Sequence, residues 1–177
     1  PIPPLQGGRR VKVQTFSFTS GGWSAEPDGA LDSERTLVVL FGASNLIDRP
    51  APVQRIIDAF PRSQVMGCSS SGEIHGTRIL DDSLAVAVAK FDRVALRLAA
   101  ARISATGDSF AAGKEIARQL TAKELRAALV LSDGLQVNGS ELVRGMNALL
   151  PETVTVTGGL AGDGDRFART WVIAERR

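Results

Sequence analysis

The chain has 177 residues, 44% of them hydrophobic and 23% charged. That suits one globular domain with a sizeable core and excludes disordered and collagen-like classes. The formal net charge is only +2, the cations are scattered among acids, there is no Tyr, and 5% of residues are aromatic. Clustered cations beside aromatics are what nucleic-acid binding needs, so the expectation is no nucleic-acid partner.

A single cysteine, Cys68, closes no internal disulfide, and no apolar run approaches the ~20 residues that span a bilayer. With no signal pattern at the amino terminus, the expectation is a cytoplasmic protein without membrane attachment.

Residues 1–10, rich in Pro and Gly, read as a mobile lead. Residues 11–18 (VKVQTFSF) alternate with period two and predict a strand. Residues 20–35 hold Gly21, Gly22, Pro27 and Gly29 with no apolar period, and read as loop. Residues 36–41 (TLVVLF) form a short continuous apolar run, as in a strand buried on both faces. Val53, Ile56, Ile57 and Phe60 then recur at helical spacing until Pro61 stops them. Strands are predicted at 64–69, leading into a Gly/Ser turn, at 83–91 (SLAVAVAKF) and at 94–100 (VALRLAA). A helix capped by Ser109 follows over 109–120, a strand over 126–131, and a helix capped by Ser140 over 140–150, ended by Pro151. The last strands fall at 153–157 and 170–174.

This order repeats itself. At an offset of 91, Val39-Leu40 meets Val130-Leu131, and Val65 and Gly67 meet Val156 and Gly158. Phe60-Pro61 meets Leu150-Pro151 one residue out of register, a slip that a loop absorbs. The expectation is a layered α/β sheet with flanking helices, built from two pseudo-repeats at about 11–91 and 92–177. The first copy has a loop at 20–35 where the second has a helix, which would leave apolar sheet surface open to self-association.

Four polar turns end the paired strands: Gly42-Ala43-Ser44-Asn45, Gly67-Cys68-Ser69-Ser70-Ser71-Gly72-Glu73, Ser132-Asp133-Gly134, and Gly158-Gly159-Leu160-Ala161-Gly162-Asp163-Gly164-Asp165. In open α/β sheets the ligand crevice lies outside the carboxyl ends of strands, and glycine turns let a ligand approach the backbone. The candidate ligand contacts are Ser44, Asn45, Cys68, Ser69, Ser70, Glu73, Asp133, Gly159, Gly162 and Asp163. Neither glycine loop has the dinucleotide or triphosphate pattern. Cys68 with Glu73 and His75 nearby is the sequence basis of an alternative, a thiol-dependent hydrolase or transferase, although a lone cysteine beside a strand is more often a small buried hydrophobe. His75 is the only histidine, so no His-rich metal site exists; one axial haem ligand remains the other alternative.

The segment Val65-Met66-Gly67-Cys68-Ser69-Ser70-Ser71-Gly72-Glu73-Ile74, with Gly158-Gly159-Leu160-Ala161-Gly162-Asp163 about ninety residues later, resembles the amino-terminal part of FIST proteins, named for F-box and intracellular signal transduction. Asp108-Ser109-Phe110-Ala111-Ala112-Gly113 and Leu131-Ser132-Asp133-Gly134 also fit, from about Thr36 to Val172. The resemblance implies a non-catalytic sensory domain that binds a small molecule, such as an amino acid, and signals to a kinase, cyclase or chemotaxis module. Some relatives are reported as haem-based nitric oxide sensors. Family members usually continue into a carboxy-terminal region that helps form or cover the ligand site, so a chain ending at Arg177 reads as a fragment or a minimal form.

Overall fold

A computed structural model describes residues 11–173, so the lead at 1–10 lies outside the described residues. The chain forms β1 (Val11–Thr19), β2 (Gly22–Trp23), β3 (Thr36–Ala43), α1 (Ala51–Ala59), β4 (Gln64–Ser70), β5 (Glu73–His75), β6 (Arg78–Leu80) and β7 (Leu84–Phe91). Then come α2 (Ser109–Leu120), β8 (Ala127–Ser132), α3 (Gly139–Asn147), β9 (Thr155–Leu160) and β10 (Val172–Ile173). This is a layered α/β fold: a mixed six-stranded sheet in the order β10-β4-β3-β7-β1-β2, two smaller sheets, β5-β6 and β8-β9, and three flanking helices.

β3 and β4 run parallel and are joined by α1, while β7 lies antiparallel between β3 and β1. Strand alternation decides the faces. Val38 and Leu40 of β3 join Phe16, Val65, Val86 and Val88 in one core cluster with Ile56, Ile57 and Phe60 of the α1 segment. Complete burial of a side chain such as Leu40 or Ile56 contributes about 1.5–3 kcal/mol. The intervening residues Leu37, Val39 and Phe41 turn to the opposite face, where Phe41 and Val13 are exposed.

The second parallel unit, β8-α3-β9, encloses its own core of Ala117, Ala128, Met146, Leu150 and Val154. β8 begins 91 residues after β3 and β9 91 residues after β4, as Ala127 against Thr36 and Thr155 against Gln64. α2 and α3 cross at glycines: a Cβ on Gly113 would strike the Leu142 carbonyl, and one on Gly145 the Phe110 carbonyl. β10 leaves the second half to pair with β4, so the six-stranded sheet includes chain from both ends.

Four details differ from the sequence expectation. Residues 94–100 form no strand, because among the described residues they have no ladder partner, and an extended segment needs one to satisfy its backbone. The turn after β4 is a hairpin, β5 paired with β6. The loop over 20–35 supplies β2 and a short 3₁₀ turn, and packs Trp23 and buried Leu31 on the first core, so it covers the sheet there without a helix. Finally, Asn138, not Ser140, caps α3 by accepting from the Glu141 amide, while buried Ser109 bridges, donating to the Thr106 carbonyl and accepting from the Asn138 amide.

Candidate functional site

The polar turns that end the strands meet around the segment following β9. The Ser44 hydroxyl at the end of β3 donates to buried Asp163. The second oxygen of Asp163 accepts from the amides of Ala168 at 3.0 Å and Arg169 at 2.9 Å, and Arg166 Nε donates to the first at 3.0 Å. From β4, the Ser69 carbonyl accepts from the Gly162 amide at 2.9 Å, and the Ser69 hydroxyl from the Trp171 amide at 3.2 Å. The Trp171 indole donates to the Ala43 carbonyl, and Ser71 Oγ accepts from the Gly164 amide. At the end of β8, Asp133 accepts from the Thr170 hydroxyl and the Leu135 and Gln136 amides.

One loop, residues 161–171, thus fastens the ends of β3, β4 and β8 together. The Ser44 hydroxyl foremost, then the Arg169 amide, with the Ala168 amide and Arg166, holds the Asp163 carboxyl well below the usual carboxylate range against the opposing effect of burial. Burial pushes Asp133 upward, but the Thr170 hydroxyl and the two amides outweigh it and leave its pKa lowered. Gly162 is required by close approach: a Cβ there would lie 2.5 Å from Ser71 Oγ and 3.1 Å from the Ser71 amide nitrogen.

Beside this knot lies a polar clasp. Buried Glu73, at the start of β5, accepts from the Ser70 hydroxyl at 2.7 Å, and from the Ser83 hydroxyl at 2.7 Å and amide at 3.3 Å. Burial raises the pKa of its carboxyl, although the three donors pull it down. The clasp holds the base of the β5-β6 hairpin, whose cross-strand pair Ile74 and Ile79 is exposed, with Ile74 on the lining of the adjacent cavity.

Next to the hairpin is a cavity of about 500 Å³. Val39, Phe41, Ala85 and Ala87 supply apolar wall, and Thr15, Ser70 and His75 supply polar groups. His75 Nδ1 lies 3.1 Å from Ser17 Oγ, and Nε2 has no hydrogen-bond partner among the described residues. A second cavity, of about 1080 Å³, is bordered by residues 93–101 and 127–133.

Of the sequence-derived candidates, Ser70 borders the smaller cavity and Asp133 the larger. Ser44, Ser69, Gly162 and Asp163 are brought together in the knot, and Glu73 in the clasp. Asn45 donates to Asp82 at 2.6 Å, while its own side-chain oxygen is buried without a partner among the described residues. Gly159 is exposed in β9 and has open space around it. Cys68 is buried, and burial lifts its thiol pKa to about 11, the reverse of what a nucleophilic thiolate needs.

Sequence reasoning missed Thr15, Ser71, Arg166, Ala168, Thr170 and Trp171. Gly76-Thr77 between the short runs 73–75 and 78–80 is a hairpin signal that would have revealed β5 and β6. No comparable pattern marks residues 166–171: Arg166 and Trp171 take their roles from Ser44 and Ser69, more than ninety residues away, and Thr170 from Asp133, 37 residues away.

The lining of the smaller cavity does not fit haem. With His75 on the iron, no lysine or arginine among the lining residues remains to meet two propionates. Among the described residues no group of three or more His, Cys, Asp or Glu stands where it would hold a metal ion, and no helix is long and apolar enough to cross a membrane.

The architecture defines a mixed α/β domain in which two parallel β-α-β units are locked by one loop. The FIST N domain model matches residues 36–177, most of the chain, and the protein belongs to the FIST family. Membership places it among the sensory domains of signal transduction. No curated protein and no solved structure matches the chain.

Proposed function

We propose that the protein is a ligand-binding sensory domain in which a small metabolite, an amino acid or a similar organic acid with an apolar side chain, occupies the cavity beside the β5-β6 hairpin. The supporting observation is the combination there of apolar wall with one imidazole and two hydroxyls, in a space of about 500 Å³. The apolar part of the ligand lies on Val39, Phe41 and Ala87; its carboxylate takes hydrogen bonds from His75 and Thr15 and lies against Ser70. Few, well-placed polar groups in a mostly apolar cleft are the usual composition of a metabolite site.

Ser70 connects that site to the rest of the molecule. Its hydroxyl belongs to the Glu73 clasp, and its neighbours Ser69 and Ser71 hold the Gly162 and Gly164 amides of the loop that locks the two units. A ligand that prefers one setting of the hairpin shifts the knot by the difference in its affinity for the two settings, and an output module such as a kinase, cyclase or chemotaxis protein reads the change. The ligand touches Ser70 and His75, while Ser44, Ser69, Asp133, Gly162 and Asp163 transmit.

A thermal-shift screen of amino acids and small carboxylic acids tests this. At one hundred times its Kd a selective ligand adds about 2.7 kcal/mol of stability. The reading expects such a hit in the wild type and its loss in Ala87→Phe, which fills the cavity. A full shift retained in Ala87→Phe would place the ligand elsewhere and refute the assignment.

A further inference from the structure

The imidazole beside the smaller cavity is held from behind by a buried hydroxyl. Ser17 stands opposite Ala85 of β7, and strand alternation puts it on the same face of β1 as Thr15; Ala85 and Thr15 both line the cavity. Ser17 itself is 4% exposed, and its Oγ lies 3.1 Å from His75 Nδ1. Ser24 engages both backbone groups of Ser17. The Ser17 amide donates to Ser24 Oγ at 2.8 Å, and the Ser17 carbonyl accepts from the Ser24 amide at 2.8 Å, so the strand is fixed where its side chain meets the ring.

The direction of the Ser17–His75 hydrogen bond follows by elimination. If Nδ1 carried the proton and donated it, the Ser17 hydroxyl proton would need another acceptor. Among the described residues Ser17 Oγ has no partner except His75, and a buried donor left unpaired is costly. Ser17 therefore donates and Nδ1 accepts. In a neutral imidazole one nitrogen accepts and the other carries the proton, so the proton is on Nε2, which has no hydrogen-bond partner among the described residues.

We infer that Ser17 is the positioning residue of this cavity: it fixes His75 as the Nε2–H tautomer and makes the ring a donor toward the occupant, selecting a carboxylate and rejecting an ammonium. The inference rests on the metabolite reading of the cavity and adds which end of the metabolite faces the ring. An amino acid enters with its carboxylate toward His75. The opposite tautomer would present a lone pair there and reverse the choice. Among the lining residues His75 is the only titratable one, so no neighbouring charge on the lining makes that selection in its place.

The chain has a single histidine, so its ring nitrogens give one unambiguous set of NMR signals. Long-range proton–nitrogen correlation of the isotope-labelled, ligand-free full chain at pH 8 reads the tautomer directly. The inference expects Nε2–H as the dominant form in the wild type. In Ser17→Ala the ratio of Nε2–H to Nδ1–H falls by about two- to tenfold, the contribution of one hydrogen bond. A wild type with Nδ1–H dominant overturns the inference, and so does an unchanged ratio in Ser17→Ala. Two probes of one shape, 3-methylbutanoate and 3-methylbutylamine, are then added to the wild type. The acid is expected to move the Nε2 signal and the amine to leave it in place; an amine that moves it as far as the acid also overturns the inference. Silence with both probes, beside the expected tautomer and its loss in Ser17→Ala, upholds the role of Ser17 toward His75 and counts against the metabolite reading instead.

Discussion

Replacing Glu73 separates the clasp's hydrogen bonding from its charge. In Glu73→Ala, the hydroxyl and amide of Ser83, a residue with no exposure, lose their acceptor, while Ser70 at the cavity border can turn to another. Two buried donors left unpaired cost about 2–4 kcal/mol. At about 2–4 °C per kcal/mol for a domain of this size, Tm falls by roughly 5–15 °C. Glu73→Gln keeps an oxygen for Ser83 and turns its amide toward Ser70, so at acid pH its stability stays close to that of the wild type. The pH dependence has a definite sign. Because burial raises the Glu73 pKa in the fold, its contribution is fully present below the unfolded pKa and is lost as pH rises through the folded one. The advantage of Glu73→Gln over the wild type therefore grows from pH 4 to pH 8. Urea denaturation of the three proteins at both pH values measures this; a Gln variant as unstable as the Ala variant, or an advantage that shrinks with pH, would refute the reasoning.

The Asp163 knot carries the opposite sign. Its lowered carboxyl pKa stabilises the fold above the unfolded value and is lost as pH falls through the folded one, so wild-type stability drops in strong acid and Asp163→Asn flattens that limb. At neutral pH the same variant frees residues 161–171, and faster amide exchange there, with the core of α1 unchanged, is the expected result. Cys68, buried and with its thiol pKa near 11, labels with a disulfide reagent at pH 8 far more slowly in the native protein than in urea; equal rates would contradict its burial.

Much of the fold was legible because local physics decides it. The apolar run of β3, the Val53-Ile56-Ile57-Phe60 face stopped by Pro61, and the 91-residue offset all follow from side-chain periodicity, and the layered sheet follows from them. Residues 94–100 read as an apolar strand but have no ladder among the described residues, since pairing is a property of neighbours and not of a segment. The site divided in the same way. The turns holding Ser44, Ser69, Asp133 and Asp163 were visible as glycine-marked strand ends, whereas Arg166 and Trp171 gain their roles only when residues 161–171 cross to the first unit, and Thr170 only where that loop meets Asp133. The sequence presents His75 only as a neighbour of Cys68 or as an axial haem ligand. Its place at the cavity comes from a hairpin that the Gly/Ser composition masked.

The central claim is that a metabolite beside the β5-β6 hairpin is felt at the knot between the two units. Amide hydrogen exchange of the wild-type chain, with and without the strongest ligand from the thermal screen, tests it most directly. The account predicts slowed exchange at residues 72–76 and 85–87, accompanied by a change over 162–171. Protection confined to residues 93–101 and 127–133, or a hairpin response that leaves 162–171 untouched, would contradict it.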